Sequence, residues 1–148
     1  MPKKTIFPMA ILAFTLAATA AYAQYGMPSP TPLSVATPTA ITRTVLQTAS
    51  FPGDQYQTIQ AYVVIAPGAT AAAHTHPGVE LGYVIDGEAD LFVQGQPKRH
   101  VKAGDSFLNP AGVPHGAVNT SATRPLKIVS VYVVDKSKPL ATPATAFF

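Results

Sequence analysis

The sequence predicts an all-β domain, a barrel or sandwich of short strands. Three observations carry this. From Ile41 onward the chain is a series of β-branched and aromatic runs spaced roughly ten residues apart, with turn residues between them. No capped helical run follows the N-terminal apolar segment. At 148 residues there is room for one domain rather than two.

The elements follow in order. Lys3-Lys4, an apolar run over Ile6–Ala20 and the small-residue triplet Ala21-Tyr22-Ala23 have the pattern of an export signal over residues 1–23, cleaved after Ala23. The run contains Pro8 and is shorter than the roughly 20 residues of a spanning helix, so no stable membrane anchor is expected. The expected destination is the periplasm or the exterior. Residues 24–41 are a proline-rich, uncharged arm, extended by composition. It is too long for a simple barrel and too apolar for a solvent linker, which leads to the expectation of a homodimer.

The barrel is placed at 42–135. Its expected strands are Thr42–Gln47, Tyr56–Ile65, Ala71–His76, Glu80–Ile85, Ala89–Val93, His100–Val101, Ser106–Leu108, His115–Asn119 and Lys127–Val134. Turns fall at Pro67-Gly68, Pro77-Gly78, Asp86-Gly87, Gly95-Gln96-Pro97, Ala103-Gly104-Asp105 and Pro110-Ala111-Gly112. Asp86-Gly87 reads as a hairpin turn. Residues 136–148 read as an irregular tail whose Phe147-Phe148 pack on the barrel wall.

Composition excludes several functions. The net charge of +3 falls by the two lysines of the cleaved segment, and the remaining charges are scattered. No basic stripe for nucleic acid is present. The chain has no cysteine, hence no disulfide, thiolate ligand or thiol nucleophile. An exported protein of this kind depends on its hydrophobic core.

Three of the four histidines fall in two short stretches with Glu80. His74 and His76 are two apart, so a strand turns both toward one face. Glu80 cannot share that strand with them, because four residues of strand span about 13 Å. Ligand atoms must instead lie within about 2.0–2.2 Å of one ion. Pro77-Gly78 supplies the reversal, Pro presetting φ and Gly accepting positive φ. His115 must arrive on a strand returning across the barrel. Three imidazoles and a carboxylate suit a borderline divalent transition metal, with Mn, Fe, Ni, Cu and Zn as candidates. His100, in Lys98-Arg99-His100, reads as exposed and not a ligand. Asn119 reads as a strand cap through its side chain.

The first stretch runs Gly68, five residues, His74-Thr75-His76, three residues, Glu80, six residues, Gly87. The second runs Gly104, five residues, Pro110-Ala111-Gly112, two residues, His115, three residues, Asn119. Both resemble the two motifs of the cupin superfamily with no departure in spacing. The segment between them, Glu88–Ala103, is similar to the short spacers of small single-domain bacterial cupins. The resemblance implies a jelly-roll β-barrel with a metal near its centre, held by His74, His76, Glu80 and His115. Cupins include dioxygenases, isomerases, lyases, decarboxylases, storage proteins and sensors, so the fold leaves the activity open.

Four ligands leave neighbouring positions free on octahedral Mn(II), Fe(II) or Ni(II), whereas tetrahedral Zn(II) would be closed. Free positions suit a small substrate that chelates through two oxygens. The expected function is therefore a metal-dependent, dioxygenase-like enzyme, with Glu80 as the candidate catalytic base. The alternatives are a non-redox isomerase or lyase, and a non-catalytic periplasmic binding protein. Tyr62, Tyr83 and Gln60 are candidates for an additional base or donor if they face inward.

Overall fold

The computed structural model describes residues 40–50, 52–53 and 55–148. The export segment and nearly all of the arm lie outside them. Among the described residues there are ten strands: β1 (Ile41–Ser50), β2 (Tyr56–Ile65), β3 (Thr70–Thr75), β4 (Gly78–Asp86), β5 (Glu88–Val93), β6 (Arg99–Lys102), β7 (Ser106–Asn109), β8 (His115–Asn119), β9 (Leu126–Asp135) and β10 (Thr142–Pro143). They form two five-stranded sheets, in the orders β1-β2-β9-β4-β7 and β10-β3-β8-β5-β6. All neighbours are antiparallel. This is a jelly-roll arrangement of two facing sheets, all-β as expected.

Alternation decides what faces inward. On β9, Leu126, Ile128, Ser130, Tyr132 and Val134 are buried while the residues between them are partly exposed. On β2 the buried set is Ile59, Ala61, Val63 and Ile65. One core cluster joins Val63, Ile65, Val84, Leu91, Val101, Phe107, Leu126 and Ile128 across both sheets. A smaller cluster of Ile59, Ala61, Tyr132 and Val134 lies further along the same strands.

Several local expectations change. β1 continues to Ser50 instead of stopping at Gln47, with a register shift between Val45 and Gln47. β4 and β5 belong to different sheets, so Asp86-Gly87 is a corner between sheets and not a hairpin turn. Gly87 has φ 85°, and a Cβ there would stand 2.5 Å from the Pro125 carbonyl oxygen. Gly78 is absent from the positive-φ glycines; it is required because a Cβ would run into the Val133 backbone where β4 meets β9. The tail is not wholly irregular. β10 pairs with β3, and Phe148 stacks on Phe92 with ring centroids 4.3 Å apart, as the wall-packing expectation had it.

Candidate metal centre

Cross-strand register builds the site. In one sheet His74 on β3 is paired with His115 on β8. In the other, Glu80 on β4 lies between Asn109 on β7 and Tyr132 on β9. His76 follows the end of β3, in the reversal toward Gly78. The backbone N–H of Gly112 donates to the His76 carbonyl, so the Pro110–Gly112 turn holds the first stretch against the second.

The three imidazoles converge. Their ring centroids are 4.5–4.9 Å apart, and one nitrogen from each lies within 4.8 Å of the others. Ligand atoms each about 2.0–2.2 Å from one ion stand at most about 4.4 Å apart, so the spread is within a few tenths of an ångström of a ligand set. Nδ1 of His74 donates to the Ala72 carbonyl (2.8 Å), that of His76 to Leu140 (2.6 Å) and that of His115 to Val113 (2.9 Å). A carbonyl can only accept, so each Nδ1 carries the hydrogen and each Nε2 is left for the site. The Nε2 atoms of His76 and His115 are buried and have no hydrogen-bond partner.

Glu80 closes the group. Its Oε2 lies 3.3 Å from His76 Nε2 and 3.6 Å from His115 Nε2, and accepts a 2.8 Å hydrogen bond from Asn109 Nδ2. Burial alone would raise the Glu80 carboxyl. Its contacts with His115, His76 and Asn109 outweigh that and hold it well below the usual carboxylate range. Desolvation lowers the His74 imidazole, despite the opposing bond to Ala72. Positive charge between a buried carboxylate and the imidazole nitrogens it faces is stabilising, and a divalent cation suits this donor set.

A cavity of about 420 Å³ opens on His74, Glu80 and His115. Its walls are largely apolar, including Val63, Ile65, Leu91, Phe107, Ala117 and Ile128, with Arg43, Ser130 and Tyr132 as further polar members. Burial pushes the Tyr132 phenol up, and the Glu80 charge pushes it further the same way.

All four expected ligands are brought together, and His100 lies elsewhere, exposed, with Nδ1 3.0 Å from Asp90 Oδ1. Tyr62 and Gln60 alternate with the buried residues of β2 and face outward, and Tyr83 is 53% exposed on the outer face of β4. None of these three lines the cavity. The residues missed are Asn109, Ser130, Tyr132 and Arg43. The alternation of Leu126, Ile128 and Val134 was the available signal for Ser130 and Tyr132.

Residues 61–132 match the Cupin_2 family, described as a cupin domain. The fold is the cupin jelly-roll barrel. Among curated proteins, the chain is 38% identical over 58 residues to dimethylsulfoniopropionate lyase DddQ of Ruegeria pomeroyi, a match covering 38% of this chain and 29% of that protein. It is 32% identical over 106 residues to oxalate oxidase 2 of Hordeum vulgare, covering 66% of this chain and 47% of the relative. Among solved structures, recombinant oxalate oxidase in complex with glycolate aligns at TM-score 0.57 and 28% identity, over 73% of this chain and 57% of that one. The chain thus spans about half of the oxidase and less of the lyase.

Proposed function

We propose that this chain is an exported, metal-dependent cupin enzyme that oxidises a small oxygen-chelating organic molecule with dioxygen. The carrying observation is the convergence of His74, His76, Glu80 and His115, the three imidazoles with their tautomer fixed, beside a largely apolar cavity that His74, Glu80 and His115 line. In this reading His74, His76 and His115 hold one divalent metal through Nε2, and Glu80 holds it through its carboxylate. A metal so bound supplies Lewis acidity and a template for a two-oxygen chelate. Asn109 steadies Glu80, the apolar walls exclude water from the substrate, and Glu80, on leaving the metal, would be the group to take a proton from it. Export through an unfolded state would leave the metal to be acquired outside the cytoplasm, where the affinity order favours copper and zinc.

Similarity to a lyase supports a second reading, in which Glu80 or a neighbouring group removes a proton without consuming oxygen. A third is a binding protein that holds metal and ligand without turnover. An oxygen electrode separates them. Metal-loaded protein with catechols, flavonols and β-diketones should consume oxygen in step with substrate loss. Substrate loss without oxygen uptake would replace the oxidase with the lyase or isomerase, and binding without loss would leave the binding protein.

A further inference from the structure

The cavity has a second polar pole that the metal reading does not use. Tyr132 and Ser130 are fully buried, and the hydroxyl of each lacks a hydrogen-bond partner while lining the cavity. Arg43, on β1 opposite Val63, reaches over the Tyr132 ring with its Cζ 5.6 Å from the centroid. Among the described residues no carboxylate pairs with Arg43. The same Tyr132 ring lies edge-on to His76 at 4.9 Å, so it neighbours both the guanidinium and the histidine cluster.

Stacking on Tyr132 would account for Arg43 as a surface residue. It leaves both hydroxyls unexplained, since Phe and Ala would fill those positions without burying an unpaired polar atom. A ligand that accepts hydrogen bonds explains all three residues. The Tyr132 phenol lies near Glu80 and Ser130, but neither hydroxyl makes a hydrogen bond to the other or to Glu80, whose Oε2 is engaged by Asn109 and faces the imidazoles. The surrounding wall is apolar, where a guanidinium–carboxylate pair is strengthened by exclusion of water.

We infer that Arg43, Tyr132 and Ser130 form an anion subsite, and that the cavity's occupant is a small organic acid. Its carboxylate pairs with Arg43 and accepts from the two hydroxyls, while oxygen donors at its other end reach the histidine cluster. This rests on the proposed metal site for the chelating end only; the acid end is recognised by residues that are not ligands. A neutral molecule of the same shape leaves the guanidinium and both hydroxyls unanswered and is rejected.

The test compares two probes with one chelating head, 3,4-dihydroxybenzoate and 4-methylcatechol, which differ in carboxylate against methyl. Binding is measured by calorimetry without oxygen, with metal content determined on the same samples. Wild-type protein should bind the acid about tenfold tighter or more, the scale of a charge-assisted bond. Arg43→Gln, a change on an exposed strand, should bring the two within about twofold and leave metal content unchanged. Tyr132→Phe, which keeps the ring under Arg43, should reduce the preference severalfold; an unchanged preference would overturn the part given to Tyr132. Equal binding by the wild type, binding of neither probe, or a preference that survives in Arg43→Gln overturns the subsite. A chain that takes up no metal when offered it, yet prefers the acid, would keep the subsite and sink the metal reading. A metal-loaded chain with no preference would do the reverse.

Discussion

At the scale of residues, the site depends as much on the partners of the candidate ligands as on the ligands. Carbonyls of Ala72, Leu140 and Val113 fix three tautomers, and Asn109 fixes one carboxylate. Such outer partners typically carry tenfold to hundredfold in metal affinity. Asn109→Ala should therefore weaken metal binding by about that factor, read by competition with a chromophoric chelator, while leaving the fold intact. An unchanged affinity would show that Glu80 needs no such support. The histidines were legible in the sequence because histidine is scarce here and their spacing is informative. Asn109, Ser130 and Tyr132 were not, because their roles come from register: Glu80 sits opposite Asn109 and Tyr132 only once β4, β7 and β9 are aligned.

Among the elements, Asn119 shows how one side chain ties strands together. Buried at the end of β8, it donates through Nδ2 to the carbonyls of Ile65, Ala66 and Arg124, and its Oδ1 accepts from the Ser121 N–H. Its reading as a strand cap was right in kind, but the clamp also reaches the end of β2, 54 residues back. Asn119→Ala strips those carbonyls of their donor and should cost about 2–4 kcal/mol, since each orphaned group costs about 1–3 kcal/mol. Urea unfolding should show a lower midpoint with an unchanged slope; a midpoint within error of wild type would mean water replaces the side chain at no cost. Strand existence was legible from β-branched runs and turn residues. Sheet membership was not: Asp-Gly reads alike at a hairpin and at a corner, and only the strand pairing, which puts β4 and β5 in different sheets, distinguishes them. Nor did Thr142-Pro143 announce β10, since a two-residue strand has no period to detect.

For the whole molecule, the outer face of the β1-containing sheet is unusually apolar. Leu81, Tyr83, Ile85 and Leu108 are 46–54% exposed, and Leu81 and Leu108 are direct cross-strand partners on β4 and β7. An uncharged patch of this kind is its own complement under a two-fold axis. We propose that it is covered by a second copy, which gives the expected homodimer a basis other than the arm. Light scattering should give twice the single-chain mass, and Tyr83→Lys should shift it to the monomer; a monomeric wild type would refute the pairing. The export reading makes its own claim, that N-terminal sequencing of protein recovered outside the cytoplasm finds Gln24 first. Finding Met1 there would refute it. Metal equivalents per chain in purified variants decide whether one metal is held by His74, His76, Glu80 and His115. Wild type and His100→Ala should each carry one equivalent, while His76→Ala and His115→Ala lose it. Retention of metal by His115→Ala, or equal loss in His100→Ala, would rule out this four-residue site.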